Sequence, residues 1–480
     1  MASLAVPCGE LACQKDSMLR TLKTTVVSCT PRPAAAPEAG GKGGKKKGKK
    51  GGKEADAGEA AADPMAALLA GPLHDVVLVD TVLFPEGGGQ PSDMGTVGAH
   101  VCVRVENRDG TAVHVVCAAG AEALQPGAEV DLQVDWDRRW DHMAQHSTQH
   151  LVTATASKLW GYETLSWNLG IDWTAGKRQP SFLELGVPDL APEQLSELEQ
   201  ACNAAVRANN PVVPAWHSVA DVNGGVVPGL RMSSRALPES VTGPVRVVSF
   251  EGIDTNTCCG THVVSLAQLQ AVKLLKVEKS GKAACKVHFV AGPRVLSLLG
   301  EEHSREQALG QKLSAGGDLL VARVDDLLAR ERAASKTMKA LTAEVVALTA
   351  FGVLAQIKQG QGRQVVSAHR VLPPGGDAIE FMKGLAVAVC ERDRQGEVDG
   401  TEVVLVVTVA TGENIDPTAP LDDSGMFLVA GPPDMVSAVS PAVAEALQGR
   451  GGGRGDRYQG KCSAVSNKDS AVSAGCAAIL

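Results

Sequence analysis

The sequence is bounded first by what it lacks. Across its 480 residues no uninterrupted apolar run reaches the length a bilayer-spanning helix needs, roughly 18 to 20 residues. No membrane partner is therefore expected. The opening stretch, MASLAVPCGELACQKDSMLR, has no clean apolar core and carries Glu10 and Asp16. That argues against a secretory signal and, more weakly, against a transit peptide, and it leaves organelle delivery open. The 12 cysteines form no framework of short loops, which excludes a disulfide-stapled secreted scaffold and points to reduced thiols. No GxxxxGK[ST] loop is present to cradle phosphates, so an ATP-dependent ligation is not suggested. A net charge of −8 settles nothing about nucleic acid, because acidic proteins keep local basic patches. The expectation is a soluble cytoplasmic protein of roughly two to four domains.

What is present divides the chain. TTVVSC, DVVLVDTVLF, GTVGAHVCVRVEN and AVHVVCA are β-branched runs separated by Gly and Asp turn signals. They predict an N-terminal β-barrel-like domain over residues 1–30 and 64–137. Between its halves, residues 31–63 are rich in Lys, Gly and Ala with no hydrophobic period. Such a segment buries too little apolar surface to offset ordering, so a disordered insertion is expected. Its lysines could attract phosphates, or it could be a solvated insertion between two strands.

The period turns helical at Trp136–Trp160. A second helix is expected in APEQLSELEQACNAAVRANN, with Pro192 in its first turn and Pro211 beyond its end. Strands follow at GPVRVVSF, AVKLLKVEKS and AACKVHFVAG, which makes 138–293 an α+β domain. Leu320, Val324, Leu327 and Leu328 then fall at helical spacing, predicting a helical arm over 294–361. A small α/β domain over 362–480 completes an α+β architecture.

His146 and His150 lie four residues apart in the first predicted helix and so share one face. More than a hundred residues downstream, DTNTCCGTHV places Cys258 and His262 four apart, with Gly260 between them for a tight turn. Imidazole nitrogen and thiolate sulfur together suit Zn²⁺. Cys259 competes with Cys258 for the thiolate position, since Cys-x2-His is also a ligand spacing. Metalloproteases of the His-Glu-x-x-His kind carry a general base after the first histidine. Here Ser147 stands in that place, so that chemistry is excluded. His114, His142, His217 and His288 read as surface or core histidines.

RRWDHMAQHSTQHL and NTCCGTHV resemble the two metal-binding motifs of the alanyl-tRNA synthetase editing domain and of the stand-alone alanyl-tRNA editing proteins (AlaX type). FPEGGGQPSDMG, from Phe84 to Gly95, is similar to the glycine-rich motif that precedes them there. RVVSFEGIDTNTCCGTHV and LPESVTGPVRVV bring the match close to the eukaryotic long form with a C-terminal extension. The resemblance runs from Cys13 to beyond Gly460, the Lys/Gly insertion excepted. It implies a barrel-like domain beside a zinc editing domain, with an oligomerising or RNA-facing C-terminal domain. It also implies hydrolysis of serine, or glycine, from mischarged tRNA(Ala) at a zinc held by His146, His150, Cys258 and His262. No class II synthetase catalytic motif accompanies it. The alternatives are a catalytically inactive, zinc-stapled tRNA-binding protein, or a deacylase for another mischarged tRNA.

Several further residues are substrate or tRNA candidates. In the glycine-rich block, Gly88 and Gly89 allow a backbone to approach closely, with Gln90 and Asp93 as polar contacts; an ordinary tight turn is the plainer reading. Arg139 is placed to meet an acceptor-end phosphate or is an exposed helix arginine. Ser166 and Asn168, in TLSWNLG, are candidates for reading a serine hydroxyl. GRGGGRGDRYQGK, which contains Arg454, can grip RNA through phosphates and stacking or form a flexible loop.

Overall fold

The structure is a computed structural model that describes residues 5–33, 72–117, 124–170, 179–231, 243–357, 362–373, 376–394, 401–411 and 423–479. It is a mixed α+β protein. The chain divides into two compact units, Met1–Arg305 and Glu306–Leu480.

In the first unit, β1 (Thr21–Pro31), β2 (Leu73–Leu78), β3 (Gly95–Val97), β4 (His100–Arg108), β5 (Thr111–Cys117) and β6 (Glu129–Val134) close into a barrel in the order β1-β2-β5-β4-β3-β6. The alternating β-branched residues explain the closure: Val26, Val76, Leu78, Val97, Val105, Val116 and Leu132 turn inward and pack with Leu83 and Phe84. β1 pairs antiparallel with β2 from Val26↔Leu78 to Pro31↔His74. The Lys/Gly-rich segment thus joins two neighbouring barrel strands. Pro31, the first residue of the insertion expected over 31–63, instead ends β1, and from residue 34 onward that expectation falls outside the described residues.

A helix from Trp136 to Trp160 leaves the barrel. Asp135 caps it by accepting from the Arg138 N–H, and Gly161 closes it in the left-handed region at φ 70°. From Asp141 to Ala156 every residue of this helix is buried. Such a polar sequence can be buried all round only if its polar groups find partners. They do: Asp141 takes a bidentate pair from Arg294 at 2.7 and 2.7 Å, and Gln145 exchanges two hydrogen bonds with the Ala291 backbone.

Two sheets pack around this helix. One runs β13-β14-β8-β7, with β7 (Thr164–Asn168), β8 (Ser181–Leu185), β13 (Val272–Lys279) and β14 (Cys285–Ala291). The other runs β10-β12-β11-β9, with β9 (Val212–His217), β10 (Leu230–Arg231), β11 (Val245–Phe250) and β12 (Asp254–Thr257). The helix Pro192–Ala208 starts on proline, ends at Asn209 with φ 57°, and buries Leu198, Cys202 and Val206. Met143, Leu151, Val152, Leu198, Phe250 and Phe289 belong to the shared core.

The segment expected as a helical arm holds two helices, Pro293–Leu313 and Leu319–Ile357. In the second, the packed stripe is C-terminal: Val346, Ala350, Val353, Leu354 and Ile357 are buried, whereas Val324, Leu327 and Leu328 are exposed. By length and composition alone this helix is apolar enough to cross a membrane, although it holds no uninterrupted apolar run of that length. Scattered Thr, Gly and Glu interrupt the run without lowering the average enough. In the second unit β15 (Gly362–Leu372) lies parallel to β16 (Thr401–Thr411), with the helix Ala378–Arg394 between them in sequence. β17 (Gly425–Ala430), β18 (Gly449–Arg454) and β19 (Arg457–Cys462) complete the order β15-β16-β17-β19-β18. GRGGGRGDRYQGK is therefore a hairpin, β18 and β19, rather than a loop.

Candidate metal centre

His146 and His150 stand one turn apart on the buried helix, and Cys258 and His262 come from the turn that follows β12. Their ligand atoms all lie within 4.8 Å of one another. His146 Nε2 is 3.3 Å from His150 Nε2 and 3.5 Å from Cys258 Sγ, which is 3.3 Å from His262 Nε2. A tetrahedron with zinc–nitrogen bonds of about 2.0–2.1 Å and a zinc–sulfur bond of about 2.3 Å has edges of roughly 3.3–3.6 Å. The donor set thus fits a metal ion of that kind.

Electrostatics point the same way. Burial holds the imidazoles of His146 and His262 well below their usual pKa, and that of His150 at about 4. The rings are neutral near pH 7 and present lone pairs, which repel one another in a dry site unless a cation sits among them. Burial pushes the Cys258 thiol up to about 12, opposed by the Arg246 guanidinium. A metal reverses that preference, because thiolate coordination releases the proton. Arg246 also holds the turn, donating from Nη1 to the carbonyls of Cys258 at 2.7 Å and Gly260 at 2.8 Å. Cys259 is turned away. Its carbonyl accepts from Gln14 Nε2 at 2.9 Å, and its sulfur lies 3.0 Å from where a Cβ on Gly88 would stand.

Each ligand imidazole has a further side-chain partner. His262 Nδ1 is 3.0 Å from Ser147 Oγ, the residue found where a metalloprotease has its glutamate. Asn256 acts on His150, opposing the burial that lowers its pKa. Asn256 donates to Asp254, which Arg231 clamps bidentately at 3.0 and 2.6 Å. His146 Nδ1 is 2.8 Å from Gln90 Oε1.

The glycine-rich block therefore reaches the His/Cys cluster itself. Gly88 and Gly89 have φ of 57° and 84°, where L side chains are strained. A Cβ on Gly89 would lie 2.7 Å from the Trp167 ring, which stacks on His146 with centroids 5.1 Å apart. Gly260 is required by space rather than by a left-handed turn: a Cβ there would meet His146 Cε1 at 2.3 Å and Gln90 Oε1 at 2.6 Å.

Other candidates stand elsewhere than the sequence suggested. Arg139 is fully buried and cannot meet a phosphate. Its Nε donates to Asp93 Oδ2 at 2.8 Å, its Nη2 also pairs with Asp93, and its Nη1 donates to the Ser17 carbonyl at 3.1 Å. Asp93 is equally buried and accepts the Phe84 N–H at 2.7 Å, so it braces the block instead of facing RNA. Ser166 donates to Glu184 on the exposed side of β7, and Asn168 accepts from the Gly170 N–H at 2.7 Å. Strand alternation puts Trp167, between them, on the histidine side. Arg454 is exposed on β18, in the second unit. Trp167, Arg246 and Asn256 were not singled out from sequence, and Ser147 was named only as a missing base; their partners are 12 to 115 residues away, and no local spacing signals them.

Residues 245–285 match the family described as the threonyl and alanyl tRNA synthetase second additional domain. The chain is 37% identical over 456 residues to alanyl-tRNA editing protein Aarsd1 of Mus musculus, covering 95% of each chain. It is 35% identical to the protein of that name from Danio rerio, covering 82% of this chain and 85% of the relative. The alanine–tRNA ligase of Methanosarcina barkeri is 26% identical, with 65% of this chain matched to 33% of that longer one.

Proposed function

The chain belongs to the alanyl-tRNA editing protein family, and on that premise we propose that it hydrolyses the ester joining a wrong amino acid to tRNA(Ala). Ser-tRNA(Ala) is the favoured substrate and Gly-tRNA(Ala) the second. The physical need is clear: one small group distinguishes serine or glycine from alanine, and a synthetic site rejects such neighbours poorly, so a second, hydrolytic site is the remedy. The observation that carries the reading is the convergence of His146, His150, Cys258 and His262 in a buried place.

Zinc is the proposed metal, and when bound it polarises an ester carbonyl or lowers the pKa of a water toward about 7. The chain's own residues do the rest. The four ligands would hold the ion, Trp167 walls the His146 side, and the buried surroundings exclude bulk water. Four protein ligands also favour a second reading, in which the metal only staples the two motifs together, because structural zinc sites are usually closed.

Deacylation assays on Ser-, Gly-, Thr- and Ala-tRNA(Ala), with and without a chelator, separate these readings. Selective, chelator-sensitive release of serine supports editing. Inertness toward all four by zinc-loaded protein leaves the staple. His150→Ala is expected to abolish release with the fold largely kept, and full activity in a folded, zinc-free variant would sink the zinc role.

A further inference from the structure

Gln90 entered as a possible RNA contact, yet its side chain is 1% exposed and fully engaged. Oε1 accepts from the Thr261 backbone N–H at 3.0 Å and lies 2.8 Å from His146 Nδ1, while Nε2 donates to Thr261 Oγ1 at 2.8 Å. The orientation of a carboxamide is ordinarily ambiguous. Here a backbone N–H, which can only donate, faces one of its two ends. That end must be the oxygen, because the amide nitrogen would set donor against donor. An amide oxygen only accepts, so His146 Nδ1 must carry the proton that bridges them. A neutral imidazole has one N–H, and His146 Nε2 is left with its lone pair aimed at Cys258 and His150.

We infer that Gln90 is a positioning residue for the metal centre: it sets the tautomer and ring orientation of His146 and ties both to the Cys258–His262 turn through Thr261. The inference rests on the metal reading given above. Gly260 belongs to the same device, since any Cβ there would occupy the space in which the His146–Gln90 hydrogen bond forms. Gly88 and Gly89 deliver Gln90 into it with left-handed backbone. The glycine-rich block thus acts, through Gln90, on the side chains that would hold the ion.

Two variants of the full chain test this. Gln90→Leu removes the acceptor, and Gln90→Glu keeps it, since a carboxylate accepts both N–H groups and the Thr261 hydroxyl can turn to donate. Zinc affinity is measured by competition with a chromophoric chelator, and the visible absorption of the cobalt-substituted protein reports ligand geometry. Loss of a hydrogen bond to a ligand histidine weakens metal binding by roughly 10–100-fold. Gln90→Leu should show that loss with an altered cobalt spectrum, and Gln90→Glu should restore both. Should Gln90→Leu not fold, the ¹⁵N-histidine spectrum of zinc-loaded unmodified protein decides: His146 must be protonated at Nδ1. Wild-type affinity and spectrum in folded Gln90→Leu, or a His146 proton on Nε2, overturns the inference. Unmodified protein that binds no zinc overturns the metal reading beneath it.

Discussion

Buried polar residues of the first unit carry consequences that exposed ones could not. Burial holds His114 at about 4, below its ordinary 6.5. The ring donates from Nδ1 to the Val76 carbonyl at 3.1 Å and accepts at Nε2 from the Thr81 hydroxyl at 2.8 Å. A folded pKa below the unfolded one means that stability is fully present above pH 6.5 and is lost as pH falls toward 4. The loss reaches about 3 kcal/mol at the acid end. Urea denaturation at pH 7 and pH 5 should show a smaller pH effect in His114→Gln than in the unmodified chain, and equal effects would refute the assignment. Arg139→Ala leaves Asp93 buried without its partner and should cost about 3–5 kcal/mol. An arginine that touched RNA would instead weaken tRNA binding at unchanged stability. The four candidate ligands were legible because each pair repeats at i and i+4 with the right donor chemistry. Arg139 was not: its partner is 46 residues away, and no spacing rule connects them.

At the level of elements, strand and helix periods placed most of the framework, and the errors concern which side of an element faces what. TLSWNLG offered Ser166 and Asn168 as the residues that read a serine hydroxyl, but its aromatic, Trp167, is the residue that faces the histidines. The long apolar helix showed its spacing clearly, yet spacing alone did not say that only the C-terminal stripe is covered. The β18–β19 hairpin makes its own prediction. Arg454 is exposed and its loss removes no core contact. If it meets a phosphate, Arg454→Ala should lower tRNA affinity for all sequences alike and reduce the slope of log K against log[salt] by about 1. An unchanged slope removes it from the interface.

For the whole molecule, each unit has its own apolar cores, whereas the candidate metal ligands found among the described residues belong to the first. A metal bound only to folded protein stabilises by about 2.7 kcal/mol when present at a hundred times its Kd. Chelation should therefore lower the unfolding transition of the first unit and leave that of the second in place, as calorimetry of the intact chain can read. A single transition insensitive to chelator would count against the site.

The pairing of Pro31 with His74 makes the join between β1 and β2 a natural place to graft other sequence. The barrel is closed by its ladders whatever the connection carries. Lengthening a hairpin turn from about four to about forty residues costs only about 2 kcal/mol of closure entropy. An affinity tag or a reporter domain could replace the connecting stretch there, and a short turn could remove it, with the His146–His262 cluster undisturbed.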